Sequence, residues 1–382
     1  MPSHATLSAS GSSRWLNCPP SLLLESEYPD TTSEFAKEGT LAHAVAELKA
    51  AKYFSKGIGP VKYKRAMEKF RQDELWQTEM DGYTDDYFNY LKNLAIGMPE
   101  APYVAIEKRV DYSSYAEGGF GTADCIMIQS DTWHICDLKY GKGVPVSADH
   151  NTQLMLYALG AYSEYGFLFP IKKAVLHIIQ PRLNNYSEWE ISIDELLSFG
   201  EYVKAQASLA LKGEGEFKAG EHCKFCKAKA TCRKRADENL KLKGFVKQKP
   251  PKISNAEVGK ILMEAQDIQA WVKDLEEYAL SESLAGREIE GWKAVEGRSN
   301  RKISDEAGFA EVLIKNGFDE AMIYKPKQLE TLTNLEKLVG KKELALYGEA
   351  FIIKPEGKPT LVRSSDKRPA ITSIIKAEDA FK

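Results

Sequence analysis

Two acidic residues and one lysine lie on neighbouring predicted strands. Asp124 belongs to the apolar run TADCIMIQ, and Asp137 and Lys139 belong to the following run TWHICDLKY. A turn centred on Ser130 would place Asp124 opposite Asp137 or its neighbour. Asp137 and Lys139 share a face because side chains alternate along a strand. The pattern predicts a Mg²⁺ or Mn²⁺ site, or alternatively a surface ion pair. The apolar flanks favour the metal, because a buried acid is costly without a compensating partner.

Four cysteines have the types and spacing of a metal centre. Cys223, Cys226 and Cys232 form a C-x2-C-x5-C run, and Cys18 lies far upstream. Four thiolates bind either a structural Zn²⁺ or a 4Fe-4S cluster. The chain has a single C-x2-C pair, whereas structural zinc sites typically use two, which favours the iron–sulfur cluster. Scaffolding is the expected role, and a redox sensor is the alternative. The other two cysteines are expected to be buried apolar residues in strands: Cys125 and Cys136.

The composition is that of a globular protein. Its 382 residues are 43% hydrophobic and 28% charged, with a formal net charge of −3. This charge argues against a general nucleic-acid coat but allows a local positive groove. No long apolar stretch or secretory signal occurs, so we expect a cytoplasmic protein with reduced thiols. No G-x4-G-K-S/T motif occurs, so any helicase would be a separate chain.

Apolar periodicity places these residues on a mixed α/β scaffold. Two helices are predicted first, over 31–55 and 65–95, and a helix over 150–165 follows the third of four strands. The order β-β-β-α-β implies a mixed sheet with a crossover helix. A further helix near 194–211 precedes the cysteine run. The strands are predicted over 103–112, 122–129, 132–140 and 174–183.

The chain is expected to divide at a Lys- and Pro-rich linker, residues 243–254. Residues 1–242 would form the domain that the cysteines close, and residues 255–382 a smaller α/β extension that binds DNA or a partner. Its predicted helix, hairpin and two short helices cover 255–284, 291–304, 305–316 and 327–340. Basic and polar residues there suit phosphate contacts and equally a solvated surface. They are Arg298, Asn300, Arg301, Lys302, Lys358, Arg363, Lys367 and Arg368.

Five ordered motifs resemble those of the PD-(D/E)XK nuclease superfamily, in particular the RecB-like branch with AddB and the CRISPR-associated four-cysteine nucleases. They are the helix EGTLAHAV with His43, Gly121-Thr122-Ala123-Asp124, Asp137-Leu138-Lys139, Gln153-x3-Tyr157 and the cysteine set. The resemblance covers about residues 10–240, and Ala123 stands where the superfamily name has Pro. It implies a restriction-endonuclease-like core, a central mixed sheet flanked by helices.

The resemblance also implies the ligands of two metal centres. His43, Asp124 and Asp137 would hold one or two Mg²⁺ or Mn²⁺ ions. The Leu138 carbonyl is implied as a further ligand. The cysteine set would hold a 4Fe-4S cluster, with Zn²⁺ as the alternative.

Other motif residues are implied to act on water, phosphate or DNA. Lys139 would orient the attacking water or stabilise the transition state. Gln153 and Tyr157, one helical turn apart, would position Lys139 or the DNA backbone. Glu107 is a further candidate acid and Lys142 a candidate phosphate contact, and either could equally be a surface residue.

The expected function is hydrolysis of DNA phosphodiester bonds by a Mg²⁺-dependent exonuclease. The whole chain looks like an uncharacterised phage and prophage family, which implies replication or recombination of phage DNA inside the bacterial host. Expected partners are DNA and, on a separate chain, a single-strand annealing or binding protein or a helicase. The alternative is a catalytically inactive DNA-binding or adaptor protein. Retention of Asp124, Asp137 and Lys139 together favours the enzyme.

Overall fold

The chain forms two compact units, Met1–Val295 and Glu296–Lys382. The computed structural model describes residues 5–29, 34–55, 57–240, 254–295, 306–315 and 340. In the first unit, one five-stranded sheet lies between helical layers, which confirms the predicted mixed α/β fold. In the second unit, the structure describes helix α10, Glu306–Lys315, close to the predicted bounds.

The sheet has the strand order β1-β2-β3-β4-β5. Strands β3 and β4 run parallel, and the other neighbouring pairs are antiparallel. In the β2–β3 hairpin, Cys125 pairs with Cys136 and Gln129 with Thr132, which confirms the predicted turn. The strands are β1 Tyr103–Asp111, β2 Phe120–Gln129, β3 Thr132–Leu138, β4 Lys173–Gln180 and β5 Asn185–Ser192.

The crossover between the parallel strands is helix α6, as predicted. Asn151 caps it, because its Oδ1 accepts the N–H of Leu154 at 3.2 Å. None of the described helices is both long and apolar enough to cross a membrane. The helices of the first unit are α1 Ser12–Asn17, α2 Ser21–Ser26, α3 Glu34–Phe54, α4 Pro60–Arg71, α5 Thr78–Gly97, α6 Thr152–Tyr165, α7 Ile193–Lys212, α8 Arg233–Leu240 and α9 Asn255–Leu284.

The single helix predicted over 65–95 is wrong, because α4 and α5 are separate helices. Between them the Asp73 carboxylate accepts the N–H of Leu75 at 3.0 Å. Such a local side-chain bond offers the backbone an alternative to helical pairing, so the helix ends.

Strand β5 extends the predicted β-β-β-α-β order by one strand. Residues Pro181–Leu183, predicted to end the last strand, form a 3₁₀ turn instead. Pro181 lacks the N–H that a ladder requires, and Asn184 adopts the left-handed conformation with φ 49°. The turn reverses the chain, so that Asn185 pairs with Gln180. The polar, half-exposed pattern of β5 gave too weak a signal to predict it.

Both faces of the sheet are buried. Helices α6 and α7 cover one face, where Ile126, Trp133, Ile135 and Leu176 pack. Helices α3 and α5 cover the other face. Its core contains Ala46, Tyr87, Met127, Cys136 and Leu138. The two predicted strand cysteines are indeed buried there. In the resulting three-layer sandwich, side chains of the sheet are accessible to a ligand at its ends and edges.

Helix α9 has the predicted bounds and belongs to the first unit. The Arg235 side chain of α8 is 1% exposed and contacts Asp267 and Asp274 of α9. The compact unit therefore ends at Val295 rather than before α9. Several predictions concern residues that the structure does not describe. They are the linker except Ser254, the hairpin beyond residue 295, the helix over 327–340 except Gly340, and the C-terminal basic residues.

Gly160 allows α6 to approach β1 closely. A Cβ there would lie 2.9 Å from the Val110 Cβ and 3.3 Å from the Asp111 nitrogen. Alanine would favour the helix by about 1 kcal/mol, but overpacking costs about 1–3 kcal/mol. We therefore expect Gly160→Ala to lower the melting temperature measured by circular dichroism. The control Gly82→Ala in α5, with no neighbour within 4 Å, should leave it unchanged or raise it. Equal effects of the two variants would contradict this packing.

Candidate active site

One nitrogen and two carboxylates converge beside β2. The Nδ1 atom of His43, on α3, lies 3.1 Å from Asp124 Oδ1. The other carboxylate oxygen of Asp124 accepts the N–H of Leu138 at 2.7 Å. One ligand atom each from His43, Glu107 and Asp124 lies within 4.8 Å of the other two. These three residues are the compact donor group of the described structure.

A second group of polar side chains surrounds Asp137. Lys139 Nζ lies 2.9 Å from Asp137 Oδ2 and donates to Gln153 Oε1 at 2.8 Å. The Gln153 amide group donates to Asp137 Oδ1 at 3.2 Å and to the Tyr157 hydroxyl at 3.0 Å. Gln153 therefore holds the ammonium and the carboxylate together from one side. The predicted partnership of Asp137, Lys139, Gln153 and Tyr157 exists as a continuous network.

Tyr157 packs directly on the strand that carries Asp124. A Cβ at Gly121 would lie 2.6 Å from the Tyr157 Cε1 atom. The glycine of the G-x-x-D motif is thus required for this close approach of ring and backbone. Burial raises the pKa of the Tyr157 hydroxyl, which stays protonated at neutral pH.

Glu107 enters the site through an unusual backbone conformation. Its φ of 47° is left-handed, within strand β1. Such a conformation costs about 1–3 kcal/mol in a residue other than glycine and is frequent at functional sites. The pairs Ile106–Cys125 and Lys108–Ala123 flank it, so Glu107 lies opposite Asp124. Knowledge of the β1–β2 register would have identified Glu107 as a site residue, but the register has no local sequence signal.

Carboxylates outnumber cations in the site. Burial by itself lowers the pKa of His43, but the charges of Asp124 and Asp137 outweigh it and raise that pKa to about 9. Burial, followed by the charges of Asp124 and Glu47, raises the pKa of Glu107 to about 7. Burial also raises the pKa of Asp137 against the opposing charge of its lysine partner. Burial and crowded negative charge act together in these shifts, and a divalent cation would relieve the charge.

The three donors fit a divalent ion. Glu107 is the third member of this group, whereas the resemblance implied Asp137. One imidazole and two carboxylates suit Mn²⁺ as well as Mg²⁺. Asp137 is not part of the compact donor group, because its carboxylate pairs with Lys139. Its Oδ2 atom is buried and has no well-aligned hydrogen bond, so it retains capacity for a cation. Leu138 contributes its N–H to Asp124, and this contact fixes the carboxylate.

Lys142 is exposed in the loop that follows β3. Buried Gln180 braces this loop, since its amide donates to the carbonyls of Gly141 at 2.8 Å and Val144 at 3.0 Å. The brace holds the backbone on either side of Lys142. The structure gives no contact between Lys142 and the two groups described above.

The four predicted cysteines line one cavity, with Cys18 at the end of α1 facing the distal three. Cys18, Cys223 and Cys226 are buried, Cys232 is half-buried, and all four are free thiols. Burial raises the pKa of Cys226 to about 12, so a bound metal would have to displace its proton. Basic side chains that would balance thiolate charge share the cavity lining: Arg14, Lys218, Lys229, Lys234 and Arg235.

The four sulfurs do not form a compact group in the described structure. No three cysteine sulfurs of the described chain lie within 4.8 Å of one another. A tetrahedral zinc with bonds of about 2.3 Å would bring its sulfurs to about 3.8 Å. In an iron–sulfur cluster, the thiolates bind separate iron atoms.

Helix α1 connects the cysteine site with the acidic site. Cys18 follows its last residue, and Ser12 begins it. The Ser12 hydroxyl lies 2.7 Å from that of Thr152, the residue before Gln153. A short path of contacts therefore runs from Cys18 through α1 and Thr152 to Gln153, whose amide group contacts Asp137.

The fold and the acidic site define an α/β protein with a candidate divalent-metal site. The chain belongs to the family described as a protein of unknown function (DUF2800), which matches residues 4–369. Among solved structures, it is similar to one described as "Crystal structure of SSO0001". The identity is 16% and the TM-score 0.23, over 51% of this chain and 97% of that chain.

We expect Glu107→Gln to weaken Mn²⁺ binding at least about tenfold, because even indirect partners of metal ligands contribute 10–100-fold. The substitution keeps the size of the side chain and removes one charged donor. Isothermal titration with Mn²⁺ on the full chain measures the effect. Glu190→Gln, an exposed residue of β5, is the control and should bind as the natural protein does. Equal affinity for all three proteins would remove Glu107 from the site.

Proposed function

We propose that this protein is a Mg²⁺- or Mn²⁺-dependent deoxyribonuclease of the PD-(D/E)XK type. The observation that carries the proposal is the position of the His43, Glu107 and Asp124 donors beside the Asp137–Lys139 pair. A carboxylate-rich metal site next to a positioned ammonium is the apparatus of phosphodiester hydrolysis. The ordered sequence motifs support the same assignment.

The acidic and imidazole side chains would hold the ion. His43, Glu107 and Asp124 are its ligands in this proposal, and Asp137 is a further one. The bound ion would lower the pKa of a water molecule and neutralise charge on the scissile phosphate. Its binding requires neutral His43, so a proton must leave the imidazole that Asp124 now stabilises.

Lys139 is the residue that acts on the reacting atoms. Its side chain is 26% exposed, so the ammonium could donate to a phosphate while it contacts Asp137. It would orient the attacking water and stabilise negative charge that develops on the phosphate oxygens. Gln153 and Tyr157 are positioning residues, because they fix the ammonium and contact no substrate atom in this scheme.

The wider role follows from the sequence resemblances. We assign exonucleolytic action on phage DNA, in replication or recombination, within the cytoplasm of the bacterial host. Six free cysteines suit a reducing compartment. A separate annealing protein or helicase would supply or receive the processed DNA, because the chain has no P-loop motif.

Degradation of end-labelled single- and double-stranded DNA tests the proposal. We expect Mg²⁺-dependent release of label that Asp124→Asn and Lys139→Ala each reduce at least about 100-fold. Asp131→Asn and Lys173→Ala remove similar charges from exposed surface pairs and should retain activity.

Three outcomes would contradict the hydrolytic assignment. They are release without divalent metal, equal release by Lys139→Ala, and no release by the natural protein despite Mn²⁺ binding. The last result, combined with DNA binding, would identify an inactive DNA-binding protein instead.

We further propose that the cysteine cavity holds a 4Fe-4S cluster, with Zn²⁺ as the alternative. The purified protein should absorb in the visible range and contain iron and sulfide in the ratio of such a cluster. Cys18→Ser should lose iron and melt at lower temperature, because the centre no longer closes the long loop to Cys223. Cys125→Ala, in strand β2, should keep its iron.

Metal analysis of these proteins distinguishes the possibilities. A colourless protein with stoichiometric zinc would replace the cluster by the alternative. Unchanged metal content in Cys18→Ser would exclude Cys18 as a ligand.

A further inference from the structure

An aromatic side chain is exposed at the cysteine site. Phe225 lies between Cys223 and Cys226 of the C-x2-C pair, and 66% of its surface is accessible. Its two cysteine neighbours are buried. The short turn thus presents a large apolar ring to solvent directly beside the metal cavity. We call residues 223–227 the cysteine tip.

Several basic residues lie near this ring in the sequence. Residues 217–235 contain seven basic residues and one acid, Glu221, in a chain whose net charge is −3. Three of the seven pair with carboxylates: Lys229, Lys234 and Arg235. In contrast, Lys224 and Arg233 are exposed and form no ion pair with any described residue. These two exposed cations are accessible to phosphate groups, and Lys224 also contributes, after Arg235, to the lowered pKa of Asp267.

The cysteine tip is held rigidly. The backbone N–H of Lys227 donates to Glu25 Oε1 at 2.8 Å, and the other oxygen of that carboxylate accepts from Arg14 at 3.1 Å. Within the turn, the Cys226 N–H donates to the Cys223 carbonyl at 3.1 Å. Because its backbone is fixed on both sides, the tip can present Phe225 at little entropic cost.

We propose that the cysteine tip is a docking surface for single-stranded DNA. An unpaired base would stack on Phe225, and Lys224 and Arg233 would contact the flanking phosphates. Base stacking on an exposed aromatic ring, combined with nearby cations, is the common basis of single-strand binding. A duplex hides its base faces, so it can use the cations but not the ring. The inference takes DNA as the ligand from the proposed function.

The position of the tip relative to the acidic site supports this role. Cys18, at the other side of the metal cavity, ends α1, and Ser12 at its start contacts Thr152 beside Gln153. Six helical residues span about 9 Å. The tip and the acidic site therefore belong to one braced unit, and a strand held at the tip stays attached to the unit that would cleave it.

Fluorescence anisotropy with a labelled oligothymidylate, on the full chain in EDTA, measures binding without hydrolysis. We expect Phe225→Ala to weaken binding about 5- to 140-fold, the factor that corresponds to one stacked base. Phe225→Trp should retain affinity, because it keeps the stacking surface. Phe167→Ala is the matched control, since Phe167 is 82% exposed in the turn after α6. Equal metal content in all variants excludes a damaged cysteine site.

Salt dependence tests the electrostatic part independently. Lys224→Ala and Arg233→Ala should each reduce the slope of log affinity against log salt by about 0.7, one phosphate contact on a single strand. Phe225→Ala should leave that slope unchanged. A Phe225 effect of the same size on a blunt duplex would contradict the stacking role.

The proposal is overturned if Phe225→Ala binds oligothymidylate as the natural protein does, or if Phe167→Ala loses as much affinity. Binding of polyglutamate that depends on Phe225, with none of oligothymidylate, would identify an acidic protein partner instead. These results are independent of hydrolysis. A protein that binds through Phe225 but cleaves nothing refutes the nuclease alone, and one that cleaves without using Phe225 refutes the docking surface alone.

Discussion

The structure depends on how it accommodates negative charge inside its sheet. Asp124 and Asp137 lie on adjacent strands, with 12% and 4% of their side chains exposed. Buried carboxylates this close destabilise a fold unless each finds a partner. Asp124 receives the Leu138 N–H and His43, and Asp137 receives Lys139 and an amide from α6. Helices α3 and α6, on opposite faces of the sheet, therefore supply partners for the two carboxylates of the hairpin.

Helix α3, which supplies His43, is joined to α5 by buried lysine and arginine side chains. Lys49 of α3 is 4% exposed and contacts Asp81 and Asp85 of α5 at 2.7 Å. Arg182, after β4, bridges Glu38 of α3 and Glu79 of α5. Such buried ion pairs contribute little net stability, but breaking one leaves an uncompensated charge. These contacts join α3 to α5 and to the end of β4, on the helix that also carries His43.

The cysteine site belongs to the same system of constraints. It joins the N-terminal helices to the chain after α7, and Glu25 already links both sides through Arg14 and Lys227. Because α1 also contacts Thr152, closure at the cysteines and placement of α6 are coupled.

Local sequence determined much of this protein. Alternation along the strand predicted that Asp137 and Lys139 share a face, and helical spacing placed Gln153 and Tyr157 on one face of α6. These inferences succeeded because they depend on the fixed periods of strands and helices. The bounds of α9 followed from periodicity for the same reason.

Only the tertiary structure decided which atoms meet. Glu107 joined His43 and Asp124 because the β1–β2 register and a left-handed backbone placed it there, and neither has a local sequence signal. Asp137 stayed with Lys139 outside that compact group. The exposure of Phe225 beside buried cysteines likewise depends on distant packing. Contacts between remote segments depend on register and on the packing of whole layers, which periodicity alone does not specify.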